Sequence, residues 1–313
     1  MSVEHGRRAA PANPYARSIL DGLRASPKTM ESKWLYDAAG SALFERITEV
    51  PEYYPTARER AILPQAVELL TETMPSPLVL AEIGSGSSEK TRILLDGLPG
   101  LARYTPLDIA AGQLDLAAEG LRAAYPDLTV APVVADFTEA LPPLSEGEPV
   151  LIFFPGSTIG NLETDEARAL LTRFRAVEGV AGCLIGIDLV KDRATLELAY
   201  DDPQGVTAAF NLNLLHRIVR DLDAEIPVEA FRHEARWNAE AARIEMHLVA
   251  TRDLTMTVEG ERFEMRAGET IHTENSHKYT REGFAHLAAE AGWPEARFMT
   301  DPDGWFGVFL LMP

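Results

Sequence analysis

A glycine-containing turn at residues 84–86 is the strongest chemical signal in the sequence. An apolar run of strand length, residues 78–83, leads directly into Gly84-Ser85-Gly86, as a buried parallel strand does when it enters a nucleotide-binding turn. Glycine allows positive φ and lets a ligand lie against the backbone. Ser87 or Ser88 can cap the helix that follows, whose free N–H groups favour an anionic ligand group. The turn therefore predicts a nucleotide-like ligand.

Two carboxylates narrow the choice of ligand. A dinucleotide fingerprint requires a glycine where this chain has Glu89. Glu82, two residues before the first glycine, is instead typical of S-adenosylmethionine (SAM) methyltransferases. A second apolar segment ends at Asp108, 22 residues after Gly86, the distance at which an acid hydrogen-bonds ribose hydroxyls. The glycines alone fit an ordinary strand–helix turn equally well, but the spacing and Glu82 favour SAM. We expect the cofactor to contact Gly84, Ser85, Gly86, Lys90, Asp108, Asp136 and Phe137.

The sequence lacks the motifs of three other common kinds of functional site. The sequence has no Gly-x-x-x-x-Gly-Lys-Ser/Thr loop for a nucleoside triphosphate. Gly156-Ser157 lacks the Gly-x-Ser-x-Gly pattern of a serine nucleophile. His272 and His277, with Glu274 between them, have no third metal ligand at a usual spacing. We therefore expect no metal ion.

Composition and charge restrict the partners. The chain has 313 residues, of which 46% are apolar and 25% charged, as in ordinary globular proteins, and its formal net charge is −19. That charge argues against nucleic acids and anionic membranes. The single cysteine, Cys183, excludes an internal disulfide and indicates a reducing compartment. With no apolar leader and no stretch of transmembrane length, we expect a cytoplasmic monomer.

Strand-like and helical segments alternate between residues 78 and 188, which predicts an α/β fold with a Rossmann-like sheet covered by helices on both faces. Ligands bind such sheets at the carboxyl ends of the strands, where residues 155–161 and Asp188 also lie. Asp188 fits a capping or pairing role at least as well as a ligand role. A final helix after Thr280 and a terminal hairpin suit the antiparallel edge of a class I SAM-dependent methyltransferase sheet.

The alternation breaks after Asp188. Residues 244–265 alternate apolar and polar side chains, which predicts an inserted antiparallel layer, and a polar loop at 272–279 then rejoins the core. We expect a SAM-binding domain of residues 58–195 and 280–313, a second α+β domain of 15–57 and 196–279, and a flexible tail of 1–14. Thr56 and Glu59 form a predicted capping box for a helix that ends near Met74.

Five motifs carry a family resemblance that covers nearly the whole chain. They are Lys33-Trp-Leu-Tyr-Asp37, residues 44–55, Phe154-Pro-Gly-Ser-Thr-Ile-Gly-Asn161, Phe210-Asn-Leu-Asn213 and Thr273-Glu-Asn-Ser-His-Lys-Tyr279. With these motifs the sequence resembles the L-histidine Nα-methyltransferases of ergothioneine biosynthesis. The resemblance implies that SAM trimethylates the α-amine of histidine to give hercynine and S-adenosylhomocysteine (SAH), through mono- and dimethyl intermediates, and that the second domain holds the amino acid.

The same resemblance implies roles for individual residues. Asn161 would bind the substrate carboxylate and orient the amine, and Tyr36 and the Gly156 backbone would face that amine, so that Tyr36 and Asn161 are the catalytic candidates. The other implied substrate contacts are hydroxyls of Tyr53 and Tyr200 at the carboxylate end, the imidazole readers Glu274 and Ser276, and Met246 beside the ring. Two alternatives remain open, namely a methyltransferase for another amino acid or small amine and a non-catalytic SAM-binding protein.

Overall fold

The computed structural model describes residues 13–86 and 90–313. The predicted caps Ser87 and Ser88, and all but the last two residues of the predicted tail, lie outside these ranges. The helices are α1 (Pro14–Arg24), α2 (Ala38–Glu49), α3 (Tyr54–Thr73), α4 (Thr91–Gly97), α5 (Ala111–Ala124), α6 (Thr164–Arg175), α7 (Arg193–Tyr200), α8 (Val206–Asp221) and α9 (Arg281–Glu290). Single 3₁₀ turns occupy Ser32–Leu35, Thr158–Asn161 and Val228–Ala230.

The strands form one large and two small sheets. They are β1 (Lys28–Thr29), β2 (Leu78–Ile83), β3 (Leu101–Asp108), β4 (Thr129–Val130), β5 (Val133–Val134), β6 (Val150–Phe154), β7 (Val180–Asp188), β8 (Ala224–Glu225), β9 (Phe231–Asn238), β10 (Arg243–Ala250), β11 (Leu254–Val258), β12 (Glu261–Met265), β13 (Thr270–His277), β14 (Glu295–Thr300) and β15 (Phe306–Met312).

The large sheet has the order β14-β15-β7-β6-β2-β3-β4, and β5 also pairs with β3. The strands from β4 to β7 are parallel, whereas β15 runs antiparallel between β7 and β14. Every residue of β2 and β6 is buried, because side chains on alternate sides enter two separate cores. This strand order confirms the predicted parallel sheet and terminal hairpin, and it is the arrangement expected of a class I SAM-dependent methyltransferase sheet.

A third core lies under the two small sheets. The first has the order β1-β13-β10-β9 and the second β12-β11-β8. Helices α1 and α8 pack against them through apolar residues such as Ile19, Leu23 and Leu214. The N-terminal segment and residues 196–271 thus share one apolar core. None of the helices within 13–86 and 90–313 has the length and apolar character needed to cross a membrane.

Two local predictions are wrong. Residues 272–277 are not a loop but most of β13, which pairs with β1 and β10 on its two edges. The side chains of this stretch are polar although they are buried or half-buried, so the apolar signal of a strand is missing. The capping box is also absent, because α3 already begins at Tyr54 with Pro55 in its first turn. Glu59 is consequently inside the helix, where it is fully buried.

Candidate active site

A cavity opens at the carboxyl ends of β2, β3 and β6. Of the residues predicted to contact the cofactor, those that line it are Gly84, Ser85, Gly86, Lys90, Asp108 and Phe137. The remaining one, Asp136, is not among the lining residues. Its carboxylate accepts a hydrogen bond from the Thr138 N–H at 2.8 Å and pairs with Lys33 at 3.3 Å. The sheet therefore brings the glycine turn and the acid of the second strand to one cavity, as the spacing predicts.

Polar groups around the glycine turn are held in place for a ligand. The Gly86 N–H donates to Asp108 Oδ2 at 3.2 Å, and the Ala110 N–H donates to Oδ1 at 2.9 Å. Glu82 accepts hydrogen bonds from Thr91 and Tyr104, and burial raises its pKa to about 7.

Ser85 Oγ is buried and has no hydrogen-bond partner among the described residues. An unpaired buried hydroxyl costs free energy until it binds something. The donors and acceptors of this cavity therefore fit the polar groups of a nucleoside ligand.

A second cavity adjoins the first. It is lined by all eight residues that the resemblance assigns to the substrate, namely Tyr36, Tyr53, Gly156, Asn161, Tyr200, Met246, Glu274 and Ser276. Four of these eight line both cavities, namely Tyr36, Tyr53, Gly156 and Asn161. A group in the first cavity can therefore meet a group in the second beside these four residues.

The loop after β6 positions Gly156 and Asn161. Gly156 has φ +77°, a conformation that glycine adopts without strain, and its N–H donates to the Glu59 carboxylate at 2.9 Å. Glu59 also pairs with Lys90 at 2.5 Å. Gly160 lies so close to β13 that an added Cβ would be 2.9 Å from the His277 carbonyl oxygen. The loop is therefore fixed against α3 on one side and β13 on the other.

Glu274 is a buried carboxyl group in the lining of the second cavity. It stands opposite Met246 in the β10–β13 pair, and its Oε1 accepts a hydrogen bond from Asn161 Nδ2 at 3.2 Å. Burial raises the pKa of Glu274 to about 8, against the opposing effects of the Lys278 charge and of hydrogen bonds from Tyr36 and Asn161. The Glu274 carboxyl can therefore accept or donate a hydrogen bond near neutral pH.

Lys278, which the sequence reasoning did not single out, contacts two hydroxyls of the second cavity. Its buried ammonium donates to Ser276 Oγ at 2.7 Å and Tyr200 OH at 3.0 Å, and it pairs with Asp188 at 2.8 Å. The two hydroxyls are also 2.7 Å apart, so one of them donates to the other. Because both accept from Lys278, one hydroxyl proton of the pair can donate into the cavity while the two hydroxyls bond each other, and both can donate when a ligand takes the place of that bond.

Asp188 forms ion pairs with lysines, which is the pairing role considered for it beside a ligand role. Besides Lys278 it pairs with Lys191 at 2.5 Å and accepts from Tyr54 OH at 2.8 Å. Burial opposes its ionisation, but the two ammonium groups outweigh burial and lower its pKa. Only the place of Lys278 in the 273–279 motif could have signalled this network.

Aromatic rings form one wall of the second cavity. Tyr36 packs edge-on against Phe44 and Phe210 with ring centroids 5.6 and 5.4 Å apart, and Tyr53 packs edge-on against Tyr200 at 6.0 Å. Burial raises the pKa of all three tyrosines well above its ordinary value. Their hydroxyls consequently remain protonated and able to donate at neutral pH.

The asparagines of the 210–213 motif brace this wall from behind. Asn213 Nδ2 donates to Asp37 Oδ1 at 2.8 Å, and Asp37 caps α2 through the Gly40 N–H. Asn211 Oδ1 accepts from Thr273 Oγ1 at 2.7 Å. The two asparagines therefore tie α8 to α2 and to β13 without lining the cavity, which Phe210 of the same motif does line.

Glu274→Gln should stabilise the ligand-free protein at alkaline pH. The carboxyl has an ordinary pKa of 4.5 and a folded-state pKa of about 8. Between these values only the unfolded chain ionises, so the free energy of unfolding of the wild type falls by up to about 1.4 kcal/mol per pH unit. Glutamine does not titrate. Urea unfolding should give similar stabilities near pH 5 and a more stable variant above pH 8; a pH-independent difference would contradict the raised pKa.

Comparison with known proteins agrees with this geometry and confirms the family resemblance. The model of a family described as "Histidine-specific methyltransferase, SAM-dependent" matches residues 15–313. The histidine N-alpha-methyltransferase of Mycolicibacterium smegmatis is 42% identical over 306 residues, which cover 96% of this chain and 95% of that protein. The protein of the same name from Mycobacterium tuberculosis is 41% identical over 308 residues, covering 94% and 93%.

A fungal protein is a more distant relative. Ergothioneine biosynthesis protein 1 of Neurospora crassa is 30% identical over 284 residues, which cover 85% of this chain and 31% of that longer protein. The bacterial relatives match over almost their entire length, and the family model spans both cavities. The chain belongs to the family of histidine-specific, SAM-dependent methyltransferases.

Proposed function

We propose that this protein transfers three methyl groups from SAM to the α-amine of L-histidine, giving hercynine, the first step of ergothioneine biosynthesis. The proposal is carried by one observation: the eight residues line a single cavity, and four of them, Tyr36, Tyr53, Gly156 and Asn161, also line the cofactor cavity. The M. smegmatis and M. tuberculosis relatives support the substrate by their names. The N. crassa relative supports the pathway.

The glycine turn and the acid of β3 would hold the cofactor. Asp108 would accept hydrogen bonds from ribose hydroxyls, Ser85 would bind a polar group of the ligand, and Lys90 would attract its carboxylate. SAM, when bound, supplies a methyl group already activated by a sulfonium. The task left to the protein is then to align the acceptor nitrogen with that methyl group.

The second cavity would hold histidine by its two ends. Asn161 would bind the α-carboxylate with the hydroxyls of Tyr53 and Tyr200, which places the amine beside Tyr36 and Gly156. At the other end Glu274 would accept from one imidazole nitrogen, and Ser276 would donate to the other, which selects one tautomer. Met246 would pack beside the ring. In this arrangement residues 15–57 and 196–279 act as the substrate-binding domain.

Each transfer requires a neutral amine, so a proton must leave before the next methylation. Tyr36 faces the amine and contacts Glu274, and its hydroxyl remains protonated because burial raises its pKa. It would therefore act as a relay that accepts one proton while passing on another to water or a neighbouring group, rather than as a base that holds the proton. No metal takes part in this scheme.

Lys278→Met should weaken histidine binding through Tyr200 and Ser276. Without the ammonium the two hydroxyls lose the partner that fixes their proton directions, so we expect KM for histidine to rise roughly 10- to 100-fold with a smaller change in kcat. Lys191→Met is the matched control, because Lys191 also pairs with Asp188 but contacts neither hydroxyl. Unchanged SAH affinity would show that each variant is folded, and equal KM values in both variants would contradict the role of Lys278.

Calorimetry tests the proposed substrate. L-Histidine and then N,N-dimethylhistidine would be titrated into protein saturated with SAH, and both should bind, the dimethyl compound more tightly if methylation is processive. Phenylalanine, which has no ring nitrogen, should bind about 10⁴-fold more weakly because Glu274 and Ser276 would be left unpaired. Normal SAH binding with no heat from either histidine compound would overturn the proposed acceptor.

A further inference from the structure

Three metal-ligating side chains meet on the small sheet that carries the imidazole readers. Glu245 and His247 of β10 and His272 of β13 each offer one ligand atom, and these atoms lie within 4.8 Å of one another. Met246, which lines the substrate cavity, lies between Glu245 and His247 in sequence. Because successive side chains of a strand point to opposite faces, the cluster lies on the face turned away from that cavity.

A β-bulge brings His272 to this face. The pairing of β10 with β13 passes from Met246 opposite Glu274 to His247 opposite His272, which leaves Thr273 as an extra residue in β13. In an unbulged strand His272 and Glu274 would share a face. Bulges of this kind re-aim side chains, and here the rings of His247 and His272 stack with centroids 4.9 Å apart.

The surroundings of the cluster resemble the outer shell of a metal site. His272 Nε2 lies 3.1 Å from the backbone carbonyl oxygen of Glu274, the kind of contact that fixes the tautomer of a ligating histidine and leaves its other nitrogen free. Glu245 Oε1 accepts from Asn238 and Arg243, each at 2.9 Å. Hydrogen-bonded carboxylates of this type orient the remaining oxygen toward a metal ion.

One ring nitrogen of His247 has no hydrogen-bond partner among the described residues. His247 is 6% exposed, and its Nδ1 is buried with no hydrogen-bond partner among the described residues. Its Nε2 lies 3.2 Å from Glu245 Oε2. Burying an imidazole nitrogen without a partner costs free energy, and a cation bound beside Glu245 and His247 would draw this ring into coordination.

We propose that Glu245, His247 and His272 bind one divalent transition-metal ion, with Zn²⁺ as the representative, at a site separate from methyl transfer. Two imidazoles and a carboxylate are the ligands that zinc takes with a fourth position open to water. The nearby Arg243 guanidinium repels a cation, so the site should bind less tightly than a structural zinc site. Because His272 contacts the Glu274 carbonyl, a bound ion would also hold the strand segment that carries Glu274.

Zinc titration of the tag-free full chain, dialysed first against a chelator, tests the site. We expect one Zn²⁺ per chain, and Co²⁺ in its place should give visible absorption bands of nitrogen and oxygen coordination. His272→Gln and Glu245→Gln should each weaken binding about 10-fold or more. His286→Gln is the control, because His286 faces Glu290 at 3.4 Å on an exposed helix surface and could bind zinc adventitiously.

Each outcome decides the proposal. Stoichiometric binding that both cluster variants weaken and His286→Gln leaves unchanged would support it. Absence of stoichiometric binding in the wild type, binding that neither cluster variant affects, or binding lost in His286→Gln would overturn it. SAH affinity monitors folding in every variant, and Glu245→Gln preserves the side-chain shape if His272→Gln fails to fold.

Discussion

Asn161→Ala should lower kcat/KM for histidine by roughly 10²- to 10³-fold, because in the proposed arrangement this one side chain both binds the carboxylate and aligns the amine. The structure adds a second reason, since Asn161 Nδ2 also donates to Glu274 Oε1 at 3.2 Å. The substitution therefore disturbs the proposed contacts with both ends of histidine. Affinity for SAH should change far less, because the glycine turn and Asp108 are untouched. Steady-state kinetics with calorimetry of SAH binding measures both quantities.

Asn275→Ala is the matched control for Asn161. Asn275 is the neighbour of Glu274 on β13, but it donates to Glu163 at 3.0 Å and does not line the cavity. Its kinetics should match the wild type. If Asn161→Ala kept wild-type kcat/KM, or lost SAH binding to the same extent as activity, the proposed alignment role would be refuted.

Glu274→Ala combined with Met246→Val should lower histidine turnover and shift preference toward an aromatic amino acid such as tryptophan. The two residues stand opposite each other across β10 and β13, so trimming both opens one continuous space where the imidazole would lie. Losing the carboxylate removes the group that reads a ring N–H, and we expect kcat/KM for histidine to fall by roughly 10³-fold or more. The ratio of tryptophan to histidine kcat/KM should rise.

Single variants separate the two effects. Met246→Val alone leaves Glu274 in place and should reduce histidine kcat/KM by no more than about 10-fold, since it removes little buried volume. Competition between the two amino acids, followed by mass spectrometry of the methylated products, gives the ratio directly. Histidine kinetics in the double variant equal to those of the wild type would refute the roles of both residues.

The fold follows from local patterns where apolar periodicity is strong. Buried strands such as β2 and β6 are nearly continuous apolar runs in the sequence. The spacing of 22 residues between Gly86 and Asp108 is the one expected when a helix connects two neighbouring parallel strands. The same reasoning does not detect β13, because every residue of this strand except Ile271 is polar, so that neither face carries an apolar pattern. Its identity as a strand depends on two partners that are distant in sequence.

The site is less accessible to sequence reasoning than the fold. Asn161, Tyr36 and Glu274 came from the family resemblance, and no spacing rule connects them. Lys278 and Glu59 were missed because their roles depend on tertiary contacts, one with two cavity hydroxyls and the other with Lys90 and the Gly156 backbone. A buried charge is recognisable only after its partners are known.

Transfer of a ¹³C-labelled methyl group from SAM to L-histidine, followed by NMR, tests the central claim most directly. The account predicts a single strong signal from three equivalent methyl groups on the α-nitrogen, correlated with the histidine Cα proton, and no label on the imidazole. Label on a ring nitrogen, or no transfer to histidine by protein that binds SAH normally, would contradict Nα-methylation as the function of this protein.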